Sequence, residues 1–284
     1  MSASHEDRRA PTDRATPWCD AHLHVYDPRF DYAEGATLRP APATTADYAG
    51  VQSRLRLGRA VVVQPSSYGT DNRCTLAAVQ ALGAAHTRAI VVLGGDESDT
   101  CLTDMHRAGA RGLRVNALRG AALDQQGVAR LCARVGALGW HLQLHVDSAS
   151  LPNLAPWLAT LPVPVVLDHF ARLPVMHDHE APAWRAVFAL LDTGRIWVKL
   201  SAPYLVGTQA PDSYDDLNAA TDTLLTHAPQ RMLWGSDWPH PGWMASRGAV
   251  PDAKDALDWT LNRLRAHRCV NQVMGENPQV LYGF

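Results

Sequence analysis

Ala60-Val61-Val62-Val63-Gln64, an amphipathic stretch from Asp71 to Ala85, and Ala89-Ile90-Val91-Val92-Leu93 read as strand, helix and strand. Short β-branched runs of this length are strands buried on both faces, and a helix-length crossover between two of them makes them parallel. The same alternation extends in both directions. Upstream lies Trp18 to Val25. Downstream come Gly112-Leu113-Arg114-Val115, His141 to Val146, Val163 to Asp168, Ile196-Trp197-Val198-Lys199-Leu200 and Met232 to Gly235. Amphipathic segments at Leu123–Leu138, Ala183–Leu191, Tyr214–Ala228 and Asp252–His267 separate several of them. Eight strands in 284 residues point to an α/β protein, a closed (β/α)8 barrel of one domain spanning 17–284. A doubly wound sheet would suit four or five of the strands. No Gly-x-Gly-x-x-Gly follows any of them, which weakens that alternative. Residues 1–16 read as a polar, disordered tail.

Composition narrows the function classes. The formal charge is −2, with 46% hydrophobic and 19% charged residues and no basic stripe, so nucleic acid is not an expected partner. No apolar run reaches membrane-spanning length, and residues 1–16 lack the apolar core of a secretory signal. A soluble cytoplasmic protein is expected, with its oligomeric state left open. The five cysteines include no Cys-x-x-Cys pair; Cys19 reads as a core thiol facing away from Asp20 and its neighbouring histidines.

The barrel reading brings distant residues together, because such barrels place their sites at the C-terminal strand ends. His22 and His24 stand two residues apart in Trp18-Cys19-Asp20-Ala21-His22-Leu23-His24-Val25, a spacing that puts both imidazoles on one face of a strand. Burying that pair without a shared partner would cost several kcal/mol, which marks it as functional. Asp237 follows the apolar run ending in Gly235-Ser236, where an unpaired carboxylate would be expensive. Gln64, Arg114, His145 and His169 fall at other strand ends. A guanidinium in the position of Arg114 needs an anion, either an internal carboxylate or a substrate carboxylate held bidentately. Ser66 and Tyr68 are loop hydroxyls that offer hydrogen bonds or merely turn chemistry. Lys199 reads equally as a substrate contact or a cross-barrel pair, and His240 as a secondary candidate for general acid.

Asp-x-His-x-His on the first strand, Asp168-His169 on the sixth and Gly235-Ser236-Asp237-Trp238-Pro239-His240 on the eighth resemble the amidohydrolase superfamily. Val63-Gln64-Pro65-Ser66-Ser67-Tyr68-Gly69 and Arg111-Gly112-Leu113-Arg114-Val115-Asn116 extend the resemblance to the branch of pyrone-dicarboxylate and sugar-acid lactonases. It covers nearly the whole chain. The resemblance implies a hydrolase that opens a carboxylate-bearing lactone. Asp237 activates water, His22, His24 and His169 crowd the carbonyl, and Ser66, Arg114 and Arg119 hold carboxylates. His145 stands where the pyrone lactonase has tyrosine. With His22, His24 and Asp237 it completes a ligand set for one divalent metal, zinc first, whereas the pyrone lactonase needs none. Other readings on the same barrel are a lactone isomerase, a metal-dependent decarboxylase and a non-catalytic binding protein. No Gly-x-Ser-x-Gly elbow supports a serine nucleophile.

Overall fold

The computed structural model describes residues 16–118, 123–175, 178, 180–244 and 251–284. Eight parallel strands follow one another around a single sheet: β1 Cys19–Leu23, β2 Arg59–Val63, β3 Thr87–Val91, β4 Ala110–Asn116, β5 His141–His145, β6 Val165–Leu167, β7 Ile196–Ser201 and β8 Met232–Gly235. Each lies within two residues of an apolar run in the sequence. The barrel closes between β8 and β1, where Asp237 N–H donates to His22 C=O and His24 N–H donates to Trp238 C=O, both at 2.8 Å. Gly235 is required at this seam. A Cβ there would sit 2.6 Å from the His22 Cβ and 2.8 Å from its backbone nitrogen.

Seven helices cross between the strands: α1 Thr45–Arg54, α2 Arg73–Leu82, α3 Asp99–Arg107, α4 Gln125–Gly136, α5 Leu151–Leu158, α6 Pro182–Asp192 and α7 Asn218–His227. The short α8 Pro241–Met244, then α9 Ala253–Ala266 and α10 Asn277–Tyr282, complete the chain. Helices α1, α3 and α5 were not anticipated. Pro152 and Pro156 obscure the apolar periodicity of α5, although Pro152 is tolerated in the first turn. None of the described helices is long and apolar enough to cross a membrane.

Two apolar layers result. Val62, Leu113, Leu144, Leu167 and Trp234 pack outward against the helices. Cys19, Ala21, Val61, Val63, Ile90, Val166, Trp197 and Leu233 come from six strands and meet inside, where Tyr282 closes the end. Cys19 and Ala21 therefore face inward, as does His22. The pairing of β1 with β2 shifts register between Asp20 and Leu23. Regular alternation would have sent Cys19 and the histidines to opposite faces, and this irregularity corrects that expectation. Cys19 is a buried core thiol, its pKa raised by burial.

Candidate active site

His22, just inside the end of β1, is wholly buried, and its Nε2 lies 3.3 Å from His24 Nε2 and 3.4 Å from Asp237 Oδ1. His24 Nε2 stands 3.5 Å from the same oxygen, while its Nδ1 is held at 2.7 Å by the Val63 carbonyl. His169 Nε2 is 4.0 Å from Asp237 Oδ1, and its Nδ1 pairs with Ser201 Oγ at 2.9 Å. Four of the residues singled out in the sequence thus gather at the β8–β1 seam and the end of β6. Asp237 Oδ1 is buried and makes no hydrogen bond among the described residues, whereas Oδ2 accepts a short one from the Tyr204 hydroxyl.

The backbone is strained at these positions. Asp237 has φ 56°, and His169, Phe170, Ala171 and Arg172 form a run at φ 52°, 56°, 52° and 54°. Left-handed conformations cost non-glycine residues roughly 1–2 kcal/mol each and gather at functional sites. Here the turn reverses the chain straight after β6, leaving the His169 ring inside, and ends with Arg172 Nη1 on the Leu205 carbonyl at 2.8 Å.

A buried charge network lies beneath the imidazoles. Asp168 Oδ2 accepts from Gln143 Nε2 at 3.1 Å, and Lys199 Nζ donates to Gln143 Oε1 at 2.6 Å. Lys199 Nζ is 3.7 Å from Asp168 Oδ1 and 3.4 Å from His22 Nδ1. Asp20 accepts from the His22 and Ser236 backbone N–H groups and from the Ser236 and Tyr48 hydroxyls, tying β1, β8 and α1 together.

Burial governs the protonation states. It pushes His22 and His169 down to about 3, helped at His22 by the Lys199 charge, so both imidazoles are neutral at neutral pH. Burial pulls Lys199 down to about 8, although Asp168 favours its charge. At Asp237 burial acts to raise the pKa, but the facing His169, His24 and His22 outweigh it and hold the carboxyl well below the usual range. Burial alone would tune this carboxylate upward. The ring of imidazoles around Asp237 is why the direction is the reverse.

Other expected residues stand further from this cluster. His145 is not among the ligand atoms that gather with His22, His24 and Asp237. Its ring packs edge-on against His169 with centroids 4.8 Å apart, and both its nitrogens are buried without a hydrogen bond among the described residues. The expected fourth ligand is thus one ring removed, because His169 fills the space between. Arg114 Nη1 donates to the Gln64 carbonyl at 2.9 Å and Nη2 lies 3.8 Å from Asp168 Oδ2, while the buried Nε has no partner among the described residues. Ser66 is exposed at the start of a short 3-10 turn. The Tyr68 phenol, the other loop hydroxyl, is engaged by the protein itself. It accepts from Asp27 N–H at 3.1 Å, and its ring packs against Tyr26 and Tyr32. His240 is buried, edge-on to Tyr204, with Nδ1 unpartnered among the described residues. Arg119 lies outside the described residues.

Tyr204, Ser201 and Gln143 were not singled out in the sequence. The rule that selected His169 applies equally to Ser201, the last residue of β7, and to Tyr204 three residues on. Only the absence of an imidazole or carboxylate hid them. His22 Nε2, His24 Nε2 and Asp237 Oδ1 stand 3.3–3.5 Å apart. Ligand atoms of tetrahedral zinc with bonds near 2.1 Å are separated by about 3.4 Å, so the spacing fits one ion.

The sequence profile of the amidohydrolase family matches residues 19–284. The chain belongs to the amidohydrolase family. This amidohydrolase is an enzyme, and it is 30% identical to the 4-sulfomuconolactone hydrolase of Hydrogenophaga intermedia, over 93% of this chain and 88% of that one. It is 27% identical to the D-galactarolactone isomerase of Agrobacterium fabrum, over 93% and 90% of the two chains. Among solved structures it resembles a probable 2-pyrone-4,6-dicarboxylic acid hydrolase from Acinetobacter baumannii with citric acid bound. That amidohydrolase-like barrel superposes with a TM-score of 0.80 at 26% identity, covering 94% of this chain and all of the other.

Proposed function

We propose that this enzyme hydrolyses a carboxylate-bearing lactone, with Asp237 as the general base that activates water. The observation that carries the reading is Asp237 Oδ1, a buried carboxylate oxygen with no hydrogen bond, faced by three imidazoles while Tyr204 fixes its other oxygen. Water placed there loses a proton to Oδ1 as its oxygen adds to the lactone carbonyl. His22 and His169, both neutral, are placed to donate to the developing oxyanion, a contribution of several kcal/mol in preorganised sites. Collapse breaks the ring C–O bond, and the proton held on Asp237 passes to the leaving oxygen. A carboxylate held low is a weak base, so the site suits an activated, conjugated lactone such as a 2-pyrone better than a simple aliphatic one. Sugar-acid lactones are the alternative substrate class.

A divalent ion at this spacing would draw on His22, His24 and Asp237, with His22 a ligand only while its Nε2 carries no proton. When bound it would polarise the carbonyl and acidify water.

Arg114 binds the substrate carboxylate through its unpartnered Nε edge, with Ser66 at the lip after β2 and Arg119 as further contacts. Arg114→Met should lower kcat/KM for an acidic lactone by roughly 2–4 kcal/mol and much less for an uncharged lactone of similar size. Equal losses on both substrates would show that Arg114 serves Asp168 alone. The isomerase among the relatives supports a second reading, in which the same residues shift the ring rather than open it. Accumulation of a ring-opened acid selects hydrolysis, and a rearranged lactone of unchanged mass selects isomerisation.

A further inference from the structure

His22 Nδ1 has two competitors. Asp168 Oδ1 lies 3.3 Å away and would accept a proton from it; Lys199 Nζ lies 3.4 Å away and would donate one to it. The geometry separates them. The Lys199 contact meets the geometry of a hydrogen bond, whereas the contact with the fully buried Asp168 Oδ1 is one of proximity and charge that does not meet it among the described residues. If Nδ1 accepts, the proton of the neutral His22 ring sits on Nε2. The next link accommodates it. A carbonyl only accepts, so the 2.7 Å contact with Val63 fixes the His24 proton on Nδ1 and leaves His24 Nε2 bare, 3.3 Å from His22 Nε2. The chain therefore runs in one direction: Lys199 Nζ–H to His22 Nδ1, His22 Nε2–H to His24 Nε2, and His24 Nδ1–H to the Val63 carbonyl.

We propose that Lys199, anchored on Gln143, is a positioning residue that holds His22 as the Nε2–H tautomer, making it a hydrogen-bond donor in the site rather than a metal ligand. The spacing of the three ligand atoms fits zinc, but a protonated Nε2 has no lone pair to give. His24 and Asp237 alone then remain for an ion. Removing the ammonium frees Nδ1 to donate to Asp168, the carboxylate–histidine arrangement that accompanies metal ligation in other proteins. The inference shares the site of the lactonase reading but not its chemistry, since the test uses no substrate.

Nitrogen-15 NMR of histidine-labelled full-length protein, with His22 assigned by loss of its signals in His22→Gln, should show the Nε2–H tautomer in the wild type. In Lys199→Met the signals should switch to Nδ1–H, and zinc affinity in competition dialysis should rise by at least about tenfold, the lower end of outer-shell effects on metal sites. A wild-type His22 already in the Nδ1–H form overturns the proposal. So does a Lys199→Met variant whose zinc affinity is unchanged or weaker. If that variant does not fold, the wild-type spectrum decides alone. Failure of every lactone to turn over would leave the tautomer result untouched.

Discussion

Strand β5 passes between two unlike ends of the barrel interior. At the lower end His141 packs edge-on against Tyr282, beside the apolar layer of Cys19, Val61, Ile90, Trp197 and Leu233. At the upper end His145 packs edge-on against His169, which with His22 and His24 faces one carboxylate oxygen of Asp237. Gln143, midway, joins Lys199 to Asp168. Both terminal histidines are buried, and neither nitrogen of either ring is hydrogen-bonded among the described residues. What separates them is the company they keep. An imidazole among apolar side chains fills space, whereas one among imidazoles and a carboxylate joins a set whose lone pairs and protons must be matched. Burial of a polar residue in this barrel therefore does not by itself mark chemistry; convergence does.

The sharpest way to break that contrast is at the upper end. Asp237→Asn should lower lactone hydrolysis by about 10²–10⁴-fold, the usual cost of losing a general base, with the circular dichroism spectrum unchanged. Near wild-type turnover in a folded variant would remove Asp237 from the mechanism. The lower end should answer in stability instead. Tyr282→Ala empties the plug beneath Trp197 and Leu233, and about 3–5 kcal/mol of unfolding free energy should be lost in denaturant titrations, the range for large aromatic truncations.

Acid tests both ends together. His22, His141 and His169 are pushed down to about 3 in the folded protein, against roughly 6.5 when unfolded. Their contribution to stability is fully present above about pH 6.5 and is lost as the pH falls toward 3. Asp20 has the opposite sign, since burial raises its carboxyl to about 6 and its contribution is lost as the pH rises through that value. One carboxyl opposes three imidazoles. The denaturation midpoint should therefore fall steadily from about pH 6.5 to 4, and a flat profile would mean that these rings are protonated in the native state.

Two smaller changes refine the comparison. Tyr204→Phe removes the donor to Asp237 Oδ2 and should reduce kcat by roughly tenfold, in line with about 1.5 kcal/mol for a charge-assisted hydrogen bond. Tyr282→Phe removes a buried hydroxyl that has no partner among the described residues, and should leave stability unchanged or raise it by up to about 1 kcal/mol. A loss in the second case would reveal a partner for that hydroxyl.

The strands were legible because β-branched runs buried on both faces leave a signal independent of neighbours. His22, His24, His169 and Asp237 were legible because topology places strand ends together. Other features carried no such signal. The shifted register in β1 falls beside the close approach of Gly235 to His22, a contact between residues more than 200 positions apart. Asp20 looked like part of the histidine motif, yet its four accepted hydrogen bonds make it a clasp for the barrel. The phenol of Tyr204 works from an irregular turn, and Tyr68 was read from its loop without the backbone of Asp27 that occupies it.

The seam between β8 and β1 has a consequence for how the protein matures. Among the described residues, the hydrogen bonds that close the cylinder there join Asp20, His22 and His24 to Ser236–Trp238, and these segments are separated by nearly the whole barrel sequence. Contacts of such separation form late, after the loop entropy between them has been overcome. A partly folded chain can hold most of its sheet and still have no Asp237 carboxylate facing imidazoles, since the two halves of that arrangement meet only when the ring is shut. The appearance of activity during refolding would then time the closing of the cylinder itself.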